Sequence, residues 1–135
     1  RLMKGIEFGM PKGCAFNDKQ GVRRTTARLR WWLENPAAAT IRGLTFPDYG
    51  ELPDAAIDAE TLPPIPGYAA DAPPCFFGHY WLPPGPAMPV NPNLACLDYS
   101  AAKDGPLVAY RWDGERKLLA EKYVTSTVRP REPAA

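Results

Sequence analysis

The chain has 135 residues, 45% of them hydrophobic and 23% charged, and its formal net charge is +1. That balance excludes a disordered polyelectrolyte and leaves room for about one domain. Its 17 prolines exceed the usual share of about 5%, and they argue against a long helical bundle, because proline removes a backbone donor and clashes inside helices.

No apolar run approaches the roughly 18 residues of a membrane span, so no membrane partner is expected. The charge is unevenly spread. Residues 1–46 carry nine Lys/Arg and three acids; residues 47–93 carry six acids and no Lys/Arg; residues 94–135 carry seven and six. Opposite-signed segments of this kind are expected to fold near each other. Cys14, Cys75 and Cys96 form an odd set without C-x-x-C spacing, which argues against a disulfide framework or zinc ribbon and for a reducing, cytoplasmic setting. The single histidine, His79, excludes any site needing two imidazoles from this chain. The chain opens at Arg1, and Leu2-Met3-Lys4 reads as the last turn of a helix, so it reads as a piece of a longer protein.

Taken in order, Cys14–Phe16 and Val22–Leu33 read as two strands around the turn cluster 17–21. In the second, Ala27, Leu29 and Trp31 alternate with Arg28, Arg30 and Trp32, which predicts two opposed faces. Asn35-Pro36 ends it, and residues 40–46 read as a further short strand. Residues 47–74 form a proline-rich acidic excursion, in which 54–62 has room for one or two helical turns. Cys75-Phe76-Phe77 reads as a short buried strand stopped by Gly78. Five more prolines in 83–92 forbid a sheet interior, and Leu94–Ser100 resumes strand character. Leu107–Trp112, Asp113-Gly114 and Glu115–Val124 predict a two-residue hairpin and, with the preceding strand, a meander of about three strands. The tail, 125–135, reads as frayed. The fold class expected is α+β, mainly antiparallel β.

Four positions stand out for chemistry. His79 follows a glycine at a strand end, where a neutral imidazole suits a divalent metal; the commoner role is a histidine satisfied by a carbonyl. Arg30, between Arg28 and the two tryptophans, offers a planar fork for phosphate, against the commoner solvated strand face. Asp98 could orient a ligating histidine, or simply bond a turn. Tyr80 neighbours His79 and would line the mouth of its site. The basic-aromatic strip Arg23, Arg24, Arg28, Arg30 also suggests nucleic acid, but the low net charge and acidic middle weigh against that partner.

The second half as a whole has a familiar order. Cys75-Phe76-Phe77-Gly78-His79-Tyr80-Trp81-Leu82, then Ala95-Cys96-Leu97-Asp98-Tyr99-Ser100-Ala101, then Gly105-Pro106-Leu107-Val108-Ala109-Tyr110-Arg111-Trp112-Asp113-Gly114-Glu115 resembles the C-terminal end of bacterial calcineurin-like metallophosphoesterases. The branch is that of serine/threonine phosphatases and symmetrical bis(nucleosyl)tetraphosphatases. Lys4-Gly5-Ile6-Glu7, Phe16-Asn17-Asp18-Lys19 and Arg28-Leu29-Arg30-Trp31-Trp32 look like the insert preceding that strand in one subgroup.

The resemblance implies a four-layer α/β/β/α sandwich, of which this chain, 1–135, would be the C-terminal part: an Arg/Trp strand region (1–46), the excursion (47–74), the Gly-His strand and meander (75–124) and the tail. It implies two divalent ions, manganese or iron, with His79 as one ligand and Asp98 behind it. Such ions clamp the phosphate and activate a water. The substrate would be a phosphorylated small molecule, a dinucleoside polyphosphate or a phosphoprotein, with Arg30 and Tyr80 toward it. The other ligands, in Asp-x-His, Gly-Asp-x-x-Asp-Arg-Gly and Gly-Asn-His motifs, do not occur in this sequence. The partner expected is therefore the missing N-terminal part of the same domain, and the isolated chain is expected to be inactive. Trp81 stands where many relatives outside this branch have a second histidine, and Ala102 and Asp104 flank Lys103 where relatives often have glycine. The competing reading is a small β-rich binding module, without enzymatic activity, that uses the Arg/Trp strand.

Overall fold

The computed structural model describes residues 5–18 and 20–126. The Leu2-Met3-Lys4 turn and the tail beyond residue 126 lie outside the described residues. The chain divides into two compact units, Arg1–Ala69 and Ala70–Ala135. Among the described residues secondary structure is sparse: short strands, one single-turn α-helix and several 3-10 turns.

In the first unit, β1 (Glu7–Gly9) pairs antiparallel with β4 (Thr26–Arg28), Phe8 opposite Ala27, and both of those side chains are buried. Strand β2 (Phe16–Asn17) pairs with β3 (Arg23–Arg24) across the predicted turn. Asp18 builds that turn. Its Oδ1 accepts from the Gln20 and Val22 amides at 2.9 Å each, its Oδ2 accepts from Arg24 Nε at 2.8 Å, and Gly21 takes φ +75°. The Val22 amide first, with Arg24 and Gln20 adding to it against the cost of burial, holds the Asp18 carboxyl below its ordinary range.

The long second strand expected over 22–33 is broken. β3 and β4 take different partners, and the alternation ends at Leu29, where Leu29 bridges Thr45. The backbone turns at Trp31-Trp32, so Trp32, expected on the arginine face, is the buried tryptophan, edge-on to Phe46. The strand expected over 40–46 is also corrected: Ile41–Leu44 is a helical turn, α1. Thr40 Oγ1 accepts from the Gly43 amide at 3.0 Å, and this cap satisfies a donor that a helix start leaves orphaned. The turn buries Ile41 and Leu44 against Phe8, Leu29 and Ile57. The 54–62 stretch yields only the 3-10 turn Ala59–Thr61.

Segments of opposite charge do meet inside this unit. Arg42 forks onto both oxygens of Asp48 at 2.8 Å, and Glu51 accepts from the amide and side chain of Asn17.

In the second unit, β5 (Cys75–Phe77) pairs with β6 (Leu94–Cys96), and the pairing is parallel, Phe76 opposite Ala95. Mainly antiparallel β therefore holds for three of the four strand pairs among the described residues. Residues 78–93, carrying the prolines, serve as the crossover that a parallel pair requires. The burial expected of Cys75–Phe77 is corrected: β5 is only partly buried, with Phe76 37% exposed, while β6 is wholly inaccessible. Among the described residues no three-strand meander forms, because β6 pairs with β5, and β7 (Val108–Tyr110) pairs with β8 (Tyr123–Thr125).

The two-residue hairpin at Asp113-Gly114 is corrected as well. Tyr110 faces Tyr123, so the connection is a 111–122 loop. Gly114 has φ +99°, but Asp113 does not join it at positive φ, as a type I′ turn demands. The loop is instead closed by side chains. Glu115 accepts from Tyr110 Oη at 2.7 Å and from the Asp113 amide at 2.9 Å; Lys122 Nζ lies 2.9 Å from both Asp113 and Glu115. Burial opposes ionisation of Glu115, yet the bonds from Lys122, Tyr110 and the Asp113 amide outweigh it and hold the carboxyl at about 2 instead of 4.5.

This sets the sign of a pH effect. A carboxyl held low in the fold contributes stability that is complete above its unfolded value and is lost as pH falls toward the folded one. The second unit is therefore expected to lose stability progressively from about pH 4.5 down to about 2. Urea midpoints across that range should show the slope, and Glu115→Gln should flatten this part of it. An identical slope in the variant would remove Glu115 as its source.

Candidate functional site

The candidate site lies in the second unit, where β5 and β6 both give way to loops. Gly78 ends β5, and an added Cβ there would stand 3.6 Å from Asp98 Cβ, so the two loops run side by side. His79 follows, exposed and at φ +68°; Trp81 takes φ +54°. Ser100 and Asp104, in the loop after β6, both take φ +63°. These four are all the non-glycine residues of positive φ among the described residues, and all lie in these two loops. Left-handed backbone is uncommon outside glycine, least expected for a bulky residue such as Trp81, and costs roughly 1–3 kcal/mol per residue. It persists where surrounding bonds over-determine it.

At Trp81 and Ser100 those bonds come from Asp98. Its Oδ2 accepts from the Trp81 amide at 3.1 Å and its Oδ1 from the Ser100 amide at 3.0 Å, the latter an Asx turn. Its carbonyl accepts from the Leu82 amide at 2.9 Å, and Ser100 Oγ donates back to the Leu82 carbonyl at 2.9 Å. The second loop is closed by the Ser100 carbonyl, which accepts from the Lys103 and Gly105 amides. Lys103 Nζ then stands 4.8 Å over the Trp81 ring.

Three of the four residues that stand out in the sequence, His79, Tyr80 and Asp98, share this corner. Tyr80 is buried, its ring edge-on to Phe77 at 5.3 Å. The fourth, Arg30, belongs to the first unit, where its Nε donates to the Thr45 carbonyl at 3.0 Å and its guanidinium stands 5.8 Å over the Phe46 ring. Sequence reasoning misses Trp81, Ser100, Lys103 and Gly105. The Asp98-x-Ser100 spacing is the available signal for Ser100, since an Asp two residues before a backbone amide forms an Asx turn.

At Cys75 and Cys96 burial disfavours the thiolate. Burial pushes Cys96 up to about 12 and raises Cys75 as well, so both pack as small apolar groups. Among the described residues no three His, Cys, Asp or Glu side chains cluster to hold a metal ion. One imidazole does not define a coordination sphere of four to six donors, so the described residues do not by themselves fit a resident metal. No helix among the described residues is long and apolar enough to cross a membrane.

The chain matches no protein-family profile, no curated protein and no solved structure.

Proposed function

We propose that this chain is the C-terminal portion of a calcineurin-like metallophosphoesterase, in which His79 donates one ligand to one of two divalent ions. The observation that carries this reading is the exposed His79, at left-handed φ, directly beyond a strand that ends in glycine. A left-handed residue after a glycine turns the imidazole out of the strand's line, and strand ends are where ligands collect in sheets of this kind. The β5–β6 pair supports the same reading. Parallel strands are ordinarily covered on both faces by helices; here Phe76 of β5 meets the Tyr110 ring at 5.3 Å and still keeps 37% of its surface exposed, as a sheet built to receive further elements would.

The remaining metal donors, the bulk of the sandwich and the covering helices would come from the preceding part of the protein. This chain's own share is one ligand and the turn that aims it. Tyr80, buried beside His79, would support the turn that carries it.

The test is the protein expressed together with its upstream coding sequence. It should hydrolyse p-nitrophenyl phosphate in the presence of manganese, and His79→Ala should reduce that rate by at least about 100-fold, the upper end of what even an indirect partner of a metal ligand contributes. The 135-residue chain alone should show no hydrolysis. Metal-dependent hydrolysis by the chain alone, abolished by His79→Ala, would refute the fragment reading. An upstream sequence without Asp-x-His and Gly-Asp-x-x-Asp would refute the enzyme reading.

A further inference from the structure

We infer that Asp98 is a positioning residue that sets the backbone of the His79–Leu82 turn, rather than one that acts on the imidazole directly. The inference deepens the proposed function and rests on it for its catalytic meaning; its geometry does not.

Both oxygens of the Asp98 carboxylate are engaged by main-chain donors from different loops, Trp81 on one side and Ser100 on the other. A carboxylate accepting two backbone amides makes charge-assisted bonds, stronger and more directional than those of a neutral acceptor. Its own carbonyl and the Ser100 hydroxyl then tie both loops to Leu82 a second time. The result is a closed ring of bonds through 81, 98, 100 and 82. His79 and Trp81 lie on one loop in left-handed backbone, Ser100 and Asp104 on the other. Released from Asp98, Trp81 has every reason to relax to negative φ, and the peptide plane on its N-terminal side would rotate with it. That rotation re-aims His79 two residues back. An exposed imidazole has no packed core to hold its direction, so the backbone beneath it is what determines where it points.

The same ring places Lys103. The Ser100 carbonyl anchors the Lys103 amide at 2.8 Å, and the Trp81 ring lies under its ammonium. Releasing Asp98 should therefore loosen the Lys103–Trp81 contact together with the His79 turn.

The test uses the 135-residue chain without metal or substrate, so its outcome is independent of the phosphoesterase reading. His79 is the only histidine, so one set of imidazole resonances reports its environment. In Asp98→Asn, which keeps the shape and one acceptor oxygen, the His79 resonances should shift and broaden. Amide exchange at Trp81 and Ser100 should accelerate by about 10-fold or more, while the β7–β8 amides, such as those of Ala109 and Val124, keep parental rates. Asp98→Ala should show the same pattern more strongly. Unchanged exchange at Trp81 and Ser100 would overturn the inference. So would uniform acceleration across the unit, or failure of Asp98→Asn to fold, since either makes Asp98 a general stability residue.

Discussion

Gly105→Ala should unfold the Ala70–Ala135 unit or cost it about 3 kcal/mol or more, at the upper end of overpacking effects. A Cβ at this position would overlap the Tyr99 carbonyl oxygen and stand 2.8 Å from both the carbonyl carbon and oxygen of Ser100. These are main-chain atoms, so no rotamer change makes room. The chain doubles back here because the Ser100 carbonyl accepts from the Gly105 amide at 3.0 Å. Opening that bond would remove the closure of the loop whose other end bonds Asp98. The expected observation is a large fall in the urea midpoint, with the Trp81 and Ser100 amides losing protection as well. A variant as stable as the parent would show that this close approach is not a feature of the folded chain. Gly85 and Gly50, around which an added Cβ meets nothing within 4 Å, serve as controls and should tolerate alanine.

In the first unit the largest effect is expected at Leu44. It is wholly inaccessible, and it packs with Phe8, Leu29, Ile41 and Ile57 in a core of few residues. Leu44→Ala should cost about 2–5 kcal/mol, the transfer term of the lost methyls plus the cavity they leave. Small units have only the low end of a total stability of about 5–15 kcal/mol to lose, so this change alone is expected to leave the first unit substantially unfolded. Leu44→Met, which conserves volume, should cost under about 1.5 kcal/mol. Urea unfolding of both variants checks the pair. Equal losses would point to the helical turn itself, and not the side-chain packing, as what Leu44 supports.

Part of the site corner is legible in the sequence. Gly78 as the end of a strand, His79 beyond it and Asp98 as a turn-bonding residue all follow from short-range rules about glycine, strand propensity and Asx turns. The ring of bonds around Asp98 does not, because its donors come from residues 81 and 100, and nothing local to Asp98 announces the first of them. Trp81 and Lys103 are legible as residue types but not as a pair, since 22 positions separate them in the chain. The alternation over 22–33 reads as one strand because periodicity does not reveal where a strand changes partner. The strand expected over 40–46 yields to a Thr40 cap, a side-chain bond that outweighs weak β propensity over four residues.

Composition and turn chemistry by themselves determine where this chain cannot be regular. Twelve of its 17 prolines lie in 47–93, and within that stretch the described regular structure is limited to one 3-10 turn and β5. Asp18 and Gly21 likewise act where a short side chain and a left-handed φ dictate, within a few residues. The tertiary structure alone decides pairing and burial: β5 with β6 in parallel, β6 inside and Phe76 out, Trp32 in rather than Trp31. It also decides against the Asp113-Gly114 hairpin, because Glu115 ties Tyr110 and Lys122 into a wider loop. Steric limits on φ are a property of one residue and its neighbours, and so can be read in the chain. Partner choice and burial depend on which distant segments compete for the same edge and the same core, and only the folded chain settles that competition.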